Sequence, residues 1–180
     1  MKNAYKEIIK PVLVLTCICL VVSALLAYVN TVTSPIITEA EQKAAQEAMS
    51  EVLSEADSFE QLALDSVPER VNEVYRAKNG SGYVFMLTTK GYGGDMKLIC
   101  GIKSDGTIEA CKTLSHSETS GLGSKTAEDP YRNQYCGKTA DTLTEVDSIS
   151  GATISSVAYK NAIDDAFKAF NAAKGAEDYE

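Results

Sequence analysis

Just after its first ten residues the chain runs into a long stretch without charge. Residues Pro11 to Val29 contain no Asp, Glu, Lys or Arg. Wound as a helix at about 1.5 Å per residue, this run spans about 28 Å, close to the hydrocarbon thickness of a bilayer. A cleaved signal peptide calls for a shorter apolar core and a small-residue cleavage site, and Ala24-Leu-Leu-Ala-Tyr28 offers a poor one. The pattern therefore predicts an uncleaved transmembrane anchor over residues 11–30. Thr33-Ser-Pro35 predicts a brief break in the helix. Beyond it Ile36, Ile37, Ala40, Ala44, Ala45, Ala48, Met49, Val52 and Leu53 recur every three or four residues. That spacing predicts an amphipathic stalk helix within residues 31–57, docking on the domain that follows at 58–180.

From Val71 the period falls to two. Val71–Tyr75 and Tyr83–Thr88 flank Asn79-Gly-Ser-Gly82, and Asp95–Ile102 and Thr107–Cys111 flank Ser104-Asp-Gly106, which predicts two hairpins. Gly91, Gly93 and Gly94 mark a sharp or closely approached turn between them. The alternation predicts an antiparallel sheet with one covered face. A short helix is expected near 130–136 and a closing helix from about Ser155 to Ala173, burying Ala158, Ala162, Ala166, Phe167 and Phe170. The fold class is α+β: a single N-terminal span, then an antiparallel sheet flanked by helices.

Charge sharpens this picture. The formal net charge is -8, and Lys2, Lys6, Lys10 and Glu7 give the first ten residues +2, so the remainder carries -10. Such an acidic chain is a poor partner for nucleic acid. Basic flanks stay in the cytoplasm, so residues 1–10 are expected there and the domain outside it. Of the five cysteines, Cys17 and Cys19 fall in the span, and Cys100, Cys111 and Cys136 in the domain. With no CxxC and His116 as the sole histidine, a zinc or iron–sulfur site is improbable. Cys100 and Cys111 lie on neighbouring predicted strands. A disulfide in an oxidising compartment and two buried thiols are both open.

Two segments carry candidate chemistry. The first is Asp147-Ser-Ile-Ser-Gly-Ala-Thr153, followed by Ser155 and Ser156 at the head of the closing helix. Taken alone, these residues read most simply as a capped helix start, with Ser150 or Thr153 as cap and Asp147 in the turn. A small Ser150-Gly151-Ala152 approach also leaves the Thr153 hydroxyl open to a second protein, and the helix start favours an anion. The second is His116-Ser-Glu-Thr-Ser-Gly-Leu-Gly123, where glycines two apart let backbone approach a flat ligand or its phosphate. It is not a GxGxxG fingerprint and opens no obvious helix, so nicotinamide binding is excluded as a first reading.

The first segment resembles the D-x-x-[ST]-G-A-[TS] motif of flavin transferase substrates, whose last hydroxyl takes FMN through a phosphoester. The second resembles the H-x-E-T-P-G-L-G segment of membrane flavoproteins, with Ser120 in place of proline. In this order, behind one span, they make the chain similar throughout its length to the G-subunit family of the Rnf complex, a membrane ion-translocating ferredoxin–NAD oxidoreductase. The C subunit of sodium-translocating NADH–quinone reductase shares the architecture but is usually longer. The resemblance implies covalent FMN on Thr153, with Asp147, Ser150, Gly151 and Ala152 serving attachment and Ser155 and Ser156 adding hydroxyl donors. It implies that His116, Glu118, Thr119, Gly121, Leu122 and Gly123 shape the ring or phosphate pocket. It further implies one-electron relay, with the other Rnf subunits (notably D) and a flavin transferase as partners. No residue is expected to act as acid or base. Two rivals stand beside it: a stand-alone extracytoplasmic flavoprotein, and an anchored binding or sensor domain without flavin. The resemblance also implies that the complex couples this electron transfer to the translocation of sodium ions or protons.

Overall fold

The structure, a computed structural model, describes residues 9–64 and 66–177. Lys2 and Lys6, on which the expected orientation depends, lie outside the described residues. The chain divides after Lys43 into two compact units. The first helix, α1 (Lys10–Val52), begins in one and ends in the other.

Within the first unit α1 is apolar and open to its surroundings, with Leu15, Leu20 and Leu26 all more than half exposed. It is long and apolar enough to cross a membrane. The expected break at Thr33-Ser-Pro35 does not occur, because the helix runs through Pro35. A proline inside a helix costs about 3 kcal/mol through a lost N–H and a steric clash. Leucine-rich turns before it and alanine-rich turns after it are strong helix formers, so the cost falls on a helix otherwise well supplied with bonds.

The second unit holds a five-stranded antiparallel meander: β1 (Phe59–Leu62), β2 (Val71–Ala77), β3 (Gly82–Lys90), β4 (Asp95–Lys103) and β5 (Ile108–His116). β1 escapes a periodicity reading because four residues give barely one alternation. It pairs with β2 from Phe59↔Ala77 to Leu62↔Val74. β5 also runs five residues beyond its expected end, so His116 closes a strand.

The expectation of one covered face is wrong: both faces are buried. Tyr83, Phe85 and Leu87 of β3 and Met96, Leu98, Cys100 and Ile102 of β4 face one core with the closing helix α3 (Thr153–Glu177). Val84 and Ile99 face a second core with Ala48, Met49 and Val52 from the end of α1 and Leu53 just after it. The near-continuous apolar run Leu98–Ile102 is what a doubly covered strand requires. Gly101 makes the second contact close, since a Cβ there would overlap the Val52 carbonyl. A register shift between Gly101 and Ile102 lets Ile108 and Cys111 both face the α3 side.

Between β5 and α3 the chain forms short elements: a 3-10 turn at Gly123–Ala127, the one-turn helix α2 (Asp129–Arg132), and 3-10 turns at Asn133–Tyr135 and Leu143–Glu145. Tyr131 and Tyr135 from this stretch pack with Tyr159 of α3, ring centroids 5.1–5.6 Å apart. The Tyr131 hydroxyl donates to the Ser156 carbonyl at 3.2 Å, which fixes the start of α3 from beneath. Burial pushes the Tyr131 phenol up, so it stays a neutral donor. Cys100 and Cys111 face each other across β4 and β5 as buried free thiols, with Sγ atoms 3.3 Å apart against about 2.05 Å for a disulfide.

Candidate functional site

The site grows from one turn. Ala152 N–H donates to the Ile149 carbonyl at 2.9 Å, and Gly151 has φ +80°. A glycine with positive φ at the third position is the requirement of a type II turn. The turn delivers Thr153 as the first residue of α3, exposed, beside buried Ala152, Ser155 and Ser156. Ser156 locks the turn onto the helix: its hydroxyl donates to the Ala152 carbonyl at 3.0 Å and accepts from Ile149 N–H at 3.0 Å. Around Thr153 the helix presents N–H groups that lack intrahelical acceptors, and its dipole favours negative charge there.

Glu118 ties three segments together. It is buried, its Oε2 accepts from Ser155 Oγ at 2.5 Å, and its Oε1 accepts from Gly93 N–H at 3.0 Å. A Cβ at Gly91 or at Gly123 would overlap this carboxylate. The glycines are therefore absences of side chain that let a charged group reach the helix start. His116 stands behind, its Nδ1 accepting from Glu118 N–H at 3.2 Å. Gly121, at φ +74°, turns the loop and donates its N–H to Ser124 Oγ at 2.9 Å.

Two clefts meet at this point. The smaller, about 390 Å³, takes Glu118, Thr119, Leu122 and Gly123 from the loop and Gly151 to Ser155 from the turn and helix. Tyr92 completes it. The larger, about 680 Å³, lies against Arg70, Lys90, Asp95, Asn161 and Val157, and also includes Thr153 and Ile154. Of its charges, Arg70 is paired with Asp165 at 2.7 Å.

Eight of the thirteen residues singled out in the sequence line the smaller cleft; His116, Gly121, Asp147, Ser150 and Ser156 do not. Asp147 and Ser150 are exposed at the approach, with Asp147 N–H donating to Gln134 Oε1 at 3.0 Å. Ser155 and Ser156 direct their hydroxyl protons inward, to Glu118 and to the Ala152 carbonyl. Sequence reasoning missed Tyr92, Ile154 and Val157. Their signal is solvent exposure, which no sequence pattern displays. Among the described residues beyond α1, the exposed large apolar side chains are Val67, Tyr92, Leu122, Ile154 and Val157. Four of these five line the two clefts. Apolar surface of this kind, gathered around one hydroxyl at a helix start, suits a flat ring carried on a phosphate.

These features define a class: an α+β domain behind a long apolar helix, with an exposed hydroxyl at a helix start between two partly apolar clefts. Comparison with known families agrees, since residues 91–168 match the FMN-binding domain and residues 1–52 match the RnfG N-terminal region. The G subunit of the ion-translocating oxidoreductase complex of Methanosarcina acetivorans is 35% identical, covering 94% of this chain and 98% of its own. The G subunit of the Na(+)-translocating ferredoxin:NAD(+) oxidoreductase complex of Acetobacterium woodii is 31% identical, covering 88% and 89%. Its counterpart in the proton-translocating ferredoxin:NAD(+) oxidoreductase complex of Clostridium ljungdahlii is 29% identical, covering 84% and 85%. The chain belongs to the family of G subunits of Rnf-type ion-translocating oxidoreductase complexes.

Proposed function

We propose that this chain is the membrane-anchored electron-carrier subunit of an Rnf-type complex, with FMN bonded through its phosphate to Thr153. The carrying observation is the exposure of Thr153 at the head of α3, where four of the domain's exposed apolar side chains gather. When bound, FMN supplies one-electron redox chemistry. The protein supplies attachment, orientation and electrostatics. Thr153 Oγ would take the flavin phosphate from FAD held by the transferase, with AMP as the leaving group carrying the bridging oxygen and the hydroxyl proton released. The Ser150-Gly151 turn keeps this approach free of bulk. The first-turn N–H groups of α3 would hold the resulting phosphodiester. Tyr92, Leu122 and Ile154 offer apolar contact to the ring, while Glu118 holds loop and helix at their spacing.

The domain stands outside the cytoplasm in this reading, with α1 crossing the membrane and Lys2, Lys6 and Lys10 on the cytoplasmic side. A permanent bond retains the flavin where free FMN is scarce. Partners are the remaining Rnf subunits, notably the flavin-bearing D subunit, and a flavin transferase. One relative is named for sodium and another for protons, so coupling is assigned to the assembly rather than to residues of this subunit.

The test uses the full chain made with its transferase. A denaturing gel under ultraviolet light is expected to show a fluorescent band, with intact mass raised by one FMN less one water. Thr153→Ala is expected to lose both signals. Fluorescence retained in that variant would move the bond elsewhere. Co-purification with other Rnf subunits separates a complex subunit from a stand-alone carrier.

A further inference from the structure

Thr153 and Ile154 border two clefts at once, and among the described residues they are the only ones common to both linings. The first cleft, about 390 Å³, has Tyr92 and Leu122 on its walls. The second, about 680 Å³, has Val157, Lys90, Asn72 and Asn161. Both volumes suit a small-molecule site, for which roughly 300–1,000 Å³ is usual. Each also leaves apolar surface open to solvent: Tyr92 is 71% exposed and Leu122 47%, against Val157 at 45% on the other side. Ile154, 59% exposed, stands between them. A single tethered ring occupies one cleft at a time, so attachment at Thr153 leaves the other unexplained.

We propose that the first turn of α3 offers a flavin tethered at Thr153 two alternative seats, one on each side of Ile154. This inference rests on the Thr153 attachment proposed above. The anchor belongs to both linings, and a phosphoester followed by a flexible ribityl chain leaves rotatable bonds between anchor and ring. The seats differ in chemistry. One sets an aromatic and a leucine beside a carboxylate already engaged by Ser155 and Gly93. The other sets Val157 among amides and charges of both signs, Lys90 and Asp95 included. The two seats share Thr153 and Ile154 and otherwise have different linings, so the ring could exchange surroundings between receiving and passing an electron without moving the backbone.

The chain contains no tryptophan, and an introduced indole quenches an excited flavin on contact, so single tryptophans report where the ring rests. Full-length, flavin-loaded protein in detergent is used, with FMN confirmed by mass on the Thr153 peptide. Tyr92→Trp reads the first seat. Because a phenol also quenches an excited flavin, Asn161→Trp, which reads the second, and the other tryptophans are placed in a Tyr92→Phe background. Asn72→Trp, exposed on the β2 side of the larger cleft, repeats the second reading if Asn161→Trp misfolds. Lys78→Trp is the control. It sits past the end of β2, at the opposite end of the β2–β3 hairpin from Lys90 and roughly 25 Å from it. The expected result is a short fluorescence lifetime in both the Tyr92 and Asn161 variants, each with at least about a tenth of the amplitude, and none in the control. Loaded second-seat variants indistinguishable from the control would overturn the proposal. So would complete quenching from Asn161→Trp with none from Tyr92→Trp, which means one seat. A Thr153 peptide without FMN would remove the attachment itself, and the two seats with it.

Discussion

Removing the Glu118 side chain tests how the site is held. In Glu118→Ala two donors lose their acceptor: Ser155 Oγ, now 2.5 Å from Oε2, and Gly93 N–H, now 3.0 Å from Oε1. Hydrogen bonds to a charged acceptor contribute about 1.5–3 kcal/mol each, and a buried donor left unpaired costs about 1–3 kcal/mol. Water entering from the adjoining cleft recovers part of this, so the low end applies, about 3 kcal/mol for the two together. Glu118→Gln keeps shape and one good acceptor, which the Gly93 N–H can take while Ser155 Oγ rotates to accept. Its expected cost is about 1 kcal/mol, the difference between a charged and a neutral acceptor. For a unit of this size 1 kcal/mol corresponds to about 4 °C in Tm, so the expected losses are about 12 °C and about 4 °C. The assay is thermal unfolding of the full chain in mild detergent, followed by near-ultraviolet circular dichroism of the buried Tyr131, Tyr135 and Tyr159. Flavin loading measured alongside should fall further in the alanine variant, because the loop and the helix start are no longer tied. Equal Tm values for the two variants, or an alanine variant within about 1 °C of the parent, would show that the carboxylate does not join these segments.

Gly101→Ala places a methyl group against the Val52 carbonyl, where β4 meets the end of α1. A loss of about 1–3 kcal/mol is expected in the same unfolding assay, and an unchanged Tm would refute the close packing. Asp165→Asn addresses pH. Burial pushes the Asp165 carboxyl up, but hydrogen bonds from Lys168 and Arg70 outweigh it and leave it below the ordinary value. A carboxyl lowered on folding stabilises above its unfolded value of about 3.9 and loses that contribution as pH falls through the lower folded value. Arg70 is partly and Lys168 more than half exposed, so solvent screening limits the gain to about 1 kcal/mol. The variant should therefore melt lower than the parent near neutral pH and converge with it below about pH 4. A gap that widens on acidification would contradict this.

Much of the site was readable because its chemistry is local. The Ser150-Gly151-Ala152 sequence specifies its own turn: only a residue tolerant of positive φ serves at Gly151, and the hydroxyl after the turn lands at a helix start. The hydroxyls of Ser155 and Ser156 carry no such guarantee. Their direction depends on what packs beneath the helix, and both turn inward. Tyr92, within the glycine turn, carries no sequence signal of its own. It becomes part of the site only because Gly91 and Gly93 let the β3–β4 turn close over Glu118, and that contact spans 25 residues of sequence. The second covered face of the sheet was hidden for the same reason. Leu98–Ile102 hinted at it, but the covering element comes from the far end of α1.

By itself, the order of apolar and polar residues determined the apolar N-terminal span and the helical stretch after it (though not that they form one helix), the four longer strands, the closing helix and the hydroxyl at its head. These features rest on backbone preference and on periodicities that a few neighbouring side chains fix. Only the tertiary structure decided that a buried carboxylate joins three distant segments, that both sheet faces are covered, and that two clefts share one anchor. Each of those depends on distances between residues far apart in the chain, and packing alone sets such distances.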